Sequence, residues 1–273
     1  MKVYLCALAK NEHLYINEWV KHYLNLGVDK IFLFDNDDKN SPQVRDYIDK
    51  ECLEKIRIIN ARGIHFDKQQ HTFYSNFYNI EKDNFDWCIF CDIDEFLVGV
   101  DNIKTFLRNP KYSCYNQIRI KWKMFGDDNL IERDMTKGVM ETFTKEVKQC
   151  LSKDLTHIVN LQDQGKMIVR GHLKNVVFHS PHFAMYSNID NILRSCLPSG
   201  KECYSTITIH EDYSNENVFF NHYMTKTISE FIKQKVNRGD AVFGKRKIDL
   251  NYFWRINEKT KEKIKYLQDM GLE

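Results

Sequence analysis

The first hundred residues alternate short, continuous apolar runs with stretches of helical periodicity. Residues 3–9 are apolar almost throughout and predict a strand buried on both faces. Residues 14–26 place Trp19, Val20, Tyr23 and Leu24 on one stripe, which predicts a helix with Gly27 as its C-terminal cap. Residues 30–34 read as a second strand that runs into Asp35-Asn36-Asp37-Asp38, and Ser41-Pro42 then carries the N-cap and N1 chemistry of a new helix. A third strand is expected at residues 56–59, a helix over 68–82 and a fourth strand at 87–91. Strand-helix-strand repetition with apolar strands predicts an α/β fold: a mainly parallel sheet covered by helices on both faces.

The pattern changes after Pro110. Residues 115–125 alternate as a mixed strand, Phe125-Gly126-Asp127-Asp128-Asn129 reads as a turn, and short strands are expected at 157–161, 166–169 and 175–179. From Thr225 onward the chain reads as helical, broken near Arg238-Gly239 and Gly244. No repeat, low-complexity tract or linker interrupts it.

Composition narrows the function classes. The formal charge of +2 supplies no global field for nucleic acid, so no nucleic-acid partner is expected. Residues 226–265 are locally basic and suit an anionic ligand or an anionic membrane surface, with a solvated helical face as the ordinary alternative. No apolar run reaches the ~20 residues of a spanning helix, and the N-terminal run turns polar at Lys10-Asn11-Glu12, too early for a signal peptide. Cys88 and Cys91 stand three apart in a predicted strand and therefore face opposite ways, which disfavours a shared metal or a disulfide. Reduced thiols and a cytoplasmic location are expected, with peripheral contact to the inner face of a membrane through the basic C-terminal helices.

The candidate chemistry lies in Trp87-Cys-Ile-Phe-Cys-Asp-Ile-Asp-Glu-Phe-Leu97. An apolar run leads into Asp92 and Asp94. If they continue the strand, the two carboxylates share a face and repel unless a cation lies between them. A hard divalent ion bridging to diphosphate oxygens would supply that charge. Polar clusters follow three predicted strands, Lys10-Asn11-Glu12, Asp35 to Asp38 and Asp92 to Glu95, and in open α/β sheets that edge binds ligands. No glycine precedes Gly27, so the Gly-rich phosphate cradle of dinucleotide, P-loop and nucleotidyltransferase sites is missing. A diphosphate would then need a metal and basic side chains. Phosphatases with an aspartate nucleophile on the first strand do not fit, because this pair follows the fourth. No cysteine has a reactive context. His179, His182 and His222 are the histidines able to join Asp94 in a mixed O/N set that suits Mn²⁺ as well as Mg²⁺.

Taken in order, these pieces resemble glycosyltransferase family 92 and related bacterial family-2-like glycosyltransferases. The matching residues are Lys10-Asn11-Glu12, Glu18-Trp19, His22-Tyr23, Leu26-Gly27-Val28, Phe34-Asp35-Asn36, Trp87, Asp92 to Leu97, Trp122, Phe125-Gly126, His179-Ser-Pro181, His222-Tyr223 through Phe231, and Arg238 to Ala241. The resemblance implies a GT-A fold: a Rossmann-like catalytic unit over 1–220, with a nucleotide-binding half at 1–110 and an acceptor half at 111–220, and a helical extension over 221–273. It implies metal-dependent, inverting transfer of galactose or a related hexose from a UDP-sugar to a glycan or glycolipid acceptor, in surface polysaccharide, lipopolysaccharide or glycoconjugate synthesis. By analogy Asp94 binds the metal, Asp92 contacts metal or ribose, and His179 is the third ligand. Lys10, Asn11, Glu12, Asp35 and Asn36 line the nucleotide pocket, while Lys226 and Arg238 offset diphosphate charge. Inversion also needs a carboxylate base in the acceptor half, for which Glu211, Asp212, Asp127, Asp128 and Asp240 are candidates. Asp127-Asp128 and Asp38 depart from the family pattern. A non-catalytic nucleotide-sugar or carbohydrate-binding protein on the same fold is the competing class.

Overall fold

The computed structural model describes residues 1–147, 151–153, 158–188, 193–204, 206–236 and 249–272. Its first four strands are β1 (Val3–Ala9), β2 (Lys30–Asp35), β3 (Ile56–Asn60) and β4 (Trp87–Phe90), followed by β5 (Glu95–Val98) and β6 (Gln117–Met124). Short strands β7 (Leu151–Lys153) and β8 (Ile158–Asn160) pair with each other, as do β10 (Val176–Ser180) and β11 (Phe183–Tyr186). The main sheet is completed by β9 (Gly165–Arg170), β12 (Ser195–Cys196) and β13 (Glu202–Cys203), while β14 (Phe219–His222) joins β5 to β6.

The sheet runs β13-β12-β6-β9-β4-β1-β2-β3. Strands β3, β2, β1 and β4 are mutually parallel; β9 inserts antiparallel between β4 and β6. This is the mixed α/β architecture, with a large, mostly parallel sheet between helices, that the sequence pattern predicts.

Side-chain alternation explains the layers. Val3, Leu5 and Ala7 of β1 enter one core with Ile31, Leu33, Trp87 and Ile89, while Cys6 and Leu8 enter another with Phe32, Phe34, Cys88 and Phe90. The first face is covered by α1 (Ile16–Asn25), through Ile16, Trp19, Val20 and Tyr23. The helix Gln69–Glu81 covers the second face with Tyr74, Phe77 and Tyr78. Cys91 belongs to the first core and Cys88 to the second, so the two thiols point apart, as their spacing predicts. Gly27 ends α1 at φ +94°, with its N–H on Leu24 and the Val28 N–H on Tyr23, a paired closure that needs a left-handed residue.

Two local expectations are corrected. Ser41-Pro42 opens no helix; a 3-10 turn forms at Val44–Tyr47 and a short helix at Lys50–Leu53. Arg62 competes with that helix: its guanidinium takes the Ser41 and Pro42 carbonyls that the first turn would need, and those of Asp38 and Lys39 before it. The fourth strand also stops at Phe90, so Asp92-Ile93-Asp94 is a turn, closed by the Glu95 N–H on the Asp92 carbonyl at 3.2 Å.

Candidate functional site

Chain order reverses between β1 and β4: β1 continues to β2 on one side, and β4 lies on the other. Such a switch point opens a crevice beyond the carboxyl ends of the strands. There a cavity of about 250 Å³ is lined by Lys10 and Glu12 after β1 and by Asp92, Ile93 and Asp94 after β4. Gln70, Trp122, Lys166, His182, His222 and Lys235 contribute from other elements.

Aromatic side chains of the flanking helices shape the acidic turn. Trp19 Nε1 donates to the carbonyls of Asp92 and Glu95, each at 3.0 Å. The Tyr23 hydroxyl donates to the Glu95 carbonyl at 2.9 Å and accepts from the Leu97 N–H at 3.1 Å. From the other face the Tyr74 hydroxyl donates to the Cys91 carbonyl at 3.2 Å. Trp19 and Tyr74 are core aromatics, as expected, and they also hold the turn by its backbone.

The carboxylates are charge-compensated. Asp92 pairs with Lys166 Nζ at 2.9 Å and accepts from Gln70 at 2.5 Å. Asp94, 4% exposed, faces Lys235 Nζ at 3.1 Å and His222 Nε2 at 3.5 Å. Burial alone would raise both carboxyl pKa values; Lys166 outweighs it at Asp92, while Lys235 and His222 hold Asp94 well below the usual carboxylate range. Glu95 behaves oppositely: burial pushes its pKa well up, and Lys166 at 3.9 Å only partly offsets that. Lys166 in turn stays above its ordinary value despite burial, because Asp92 and Glu95 face it.

Asp94, Glu95 and His222 each present a ligand atom, all within 4.8 Å of one another. Glu95 Oε1 and His222 Nδ1 are buried with no hydrogen-bond partner among the described residues. A clustered O/N donor set with orphaned atoms fits a hard or borderline divalent cation such as Mg²⁺ or Mn²⁺. His222 arrives by register: β14 pairs antiparallel with β5, setting His222 opposite Glu95, and the Tyr223 N–H bonds the Asp94 carbonyl at 2.9 Å.

Other sequence candidates fall in different places. His179 is exposed on β10 and does not line the cavity, whereas His182, three residues on, does. Asp35 and Asn36 are buried but outside the lining: Asp35 pairs with Arg62 at 3.1 Å, and Asn36 bonds Ala61, Ile64 and Gln69. The Asn11 N–H donates to Asp37. Lys226, 2% exposed and at a strained φ of +53°, lies over the Tyr15 ring at 3.9 Å, and burial lowers its pKa against the attraction of Glu12 and Asp94. Of the base candidates, Asp127 binds Lys263, Asp128 accepts from Thr144 and Lys145, Glu211 accepts from the Tyr204 N–H, and Asp212 from the Ser214 N–H. None of these four lines the cavity. Arg238 and Asp240 lie outside the described residues.

Sequence reasoning missed Lys166 and Lys235. Lys166 sits at the start of β9, whose antiparallel course returns it to the carboxyl edge of β4, with Met167 opposite Phe90. Its one signal is a lysine inside an otherwise apolar strand. Lys235 sits on a π-helical turn, Ile232–Val236, a form often found at functional sites.

With this geometry in place, comparison with known proteins supports the family likeness. The chain is similar to a glycosyltransferase family 92 protein of Ricinus communis, 23% identical over 150 residues, covering 51% of this chain and 25% of the relative. A second match bearing the same name is 24% identical over 131 residues, covering 46% of this chain and 23% of the relative. The chain therefore spans about a quarter of the length of the curated relatives it matches. No protein-family model matches it. Among the described residues no helix is long and apolar enough to cross a membrane.

Proposed function

We propose that this chain is a metal-dependent glycosyltransferase that moves a hexosyl group, galactose or a close relative, from a UDP-sugar to a glycan acceptor with inversion. The observation that carries the reading is the acidic turn at the switch-point cavity, where Asp94, Glu95 and His222 converge beside Asp92. The family likeness supports the transferase class.

On this reading Asp94, Glu95 and His222 hold Mn²⁺ or Mg²⁺, with Asp92 alongside. An ion held there would supply positive charge for the leaving diphosphate. The remaining work belongs to the chain. Lys10 and Glu12 after β1 face the nucleotide, Lys235 adds positive charge beside Asp94, and Lys226 stands behind the lining near Glu12 and Asp94. Lys166 keeps Asp92 ionised and oriented. Trp19, Tyr23 and Tyr74 fix the turn backbone, so little reorganisation is needed when substrate arrives.

The test is UDP release from a panel of UDP-sugars, with Mn²⁺ titrated and glycan acceptors present or omitted. Mn²⁺-dependent release from at least one UDP-hexose is expected. Absence of release from every donor would sink the enzyme reading, and retained UDP binding in that case would favour the non-catalytic binding protein.

A further inference from the structure

Beyond the acidic turn, the cavity has a second wall that none of the assigned roles uses. Trp122 on β6 lines it and is 7% exposed, yet its Nε1–H has no hydrogen-bond partner among the described residues. A buried indole N–H without a partner costs about 1–3 kcal/mol, so it marks a place where a ligand acceptor is missing. His182 and His222 both pack against the indole, at 5.2 Å and 4.5 Å between ring centroids. The contact of His182 Nδ1 with the Gly165 carbonyl, 3.0 Å away, fixes the proton on Nδ1 and leaves Nε2 as an acceptor. Burial and the charge of Lys166 lower the His182 pKa to about 3, so that tautomer stays neutral.

The wall therefore offers one unused N–H donor and one ring-nitrogen acceptor. That pair matches a pyranose ring, whose hydroxyls both donate and accept. Its position selects which sugar. His222 contacts both Trp122 and Asp94, 3.5 Å from the carboxylate, so a sugar hydrogen-bonded at Trp122 adjoins the place assigned to the diphosphate. We infer that Trp122 and His182 bind the hexosyl group of the nucleotide-sugar donor, Trp122 Nε1–H by donating to one hydroxyl and His182 Nε2 by accepting from another. This assignment rests on the glycosyltransferase reading and adds the residues that recognise the transferred sugar.

The experiment compares calorimetric binding of UDP, UDP-galactose and UDP-glucose with Mn²⁺ present, using wild type, Trp122→Phe and His182→Asn. Phenylalanine keeps a ring but removes the N–H, and asparagine keeps a donor for the Gly165 carbonyl but removes the Nε2 acceptor. Expected are unchanged UDP affinity and a roughly tenfold loss of affinity for the preferred UDP-hexose in either variant, the scale of one lost hydrogen bond. Thermal melts establish that each variant is folded, and His182→Asn stands alone if Trp122→Phe is not. UDP-hexose affinities that match wild type in folded variants would overturn the assignment while leaving the transferase reading intact. A change confined to acceptor KM in the UDP-release assay would also overturn it, by placing the wall on the acceptor. Wild type that binds neither UDP nor UDP-hexose would overturn the transferase reading itself, and this assignment with it.

Discussion

Asp35 and Asp94 are both buried carboxylates at the carboxyl edge of the same sheet, 3% and 4% exposed, yet their partners differ in kind. Asp35 receives Nη1 of Arg62 and the N–H groups of Asp37 and Val44, and the same guanidinium also holds backbone carbonyls through Nη1 and Nη2. Every donor in that cluster is fixed by the loop it fixes. Asp94 faces the single ammonium of Lys235 and an imidazole, beside orphaned atoms and a cavity. A planar fork bonded on several sides locks a loop, whereas a lysine on a flexible stem is a point charge that a metal or diphosphate can displace. Acidity after a strand marks the edge of the sheet. The nature of the counter-charge decides whether that edge becomes scaffold or site.

Substitutions can break this contrast. Asp94→Ala should lower Mn²⁺-dependent UDP release roughly a thousandfold per folded molecule, the scale of losing metal-derived stabilisation; Asp35→Ala should lower the melting temperature while the folded fraction keeps its activity. Arg62→Ala strands the buried Asp35 charge and should cost about 3 kcal/mol in urea unfolding, while the folded fraction keeps its activity. The metal shell itself separates two histidines: His222→Ala should weaken Mn²⁺ binding by about tenfold or more in a competition titration, and His179→Ala should leave it unchanged. The opposite order would restore His179 as the ligand.

The smallest effect concerns pH. Burial raises the Asp37 carboxyl above its ordinary 3.8, with the Asn11 N–H pulling the other way. A raised carboxyl pKa favours the protonated folded state, so this contribution to stability is present below pH 3.8 and is lost as pH rises through the shifted value. Urea midpoints of wild type should therefore decline relative to Asp37→Asn across that interval. A constant difference between the two proteins would refute the assignment.

Much of this architecture was legible in the chain. Continuous apolar runs identified β1, β2 and β4, which are buried on both faces, the isoleucines around Arg57 identified the edge strand β3, and the stripe from Trp19 to Leu24 identified α1. Asp92 and Asp94 were legible as a candidate site from their place after such a run. Their geometry was not, since the strand ends early through clamps from Trp19, Tyr23 and Tyr74 that no local pattern encodes. The counter-charges were hidden for the same reason: Lys166 lies 74 residues from Asp92 in sequence and Lys235 lies 141 from Asp94. An antiparallel strand insertion and a C-terminal π turn bring them in, and both depend on the completed sheet. Ser41-Pro42 shows the converse, a sound local helix signal overridden by one distant arginine.

Titration of UDP into wild type and Asp94→Ala, each with Mn²⁺ and with chelator, decides whether the acidic turn is a metal-assisted diphosphate site. The account predicts wild-type affinity that falls at least tenfold, roughly the scale of a lost metal-ligand contribution, when Mn²⁺ is removed, and no Mn²⁺ response in Asp94→Ala. Equal UDP affinity for wild type with and without Mn²⁺ would contradict it.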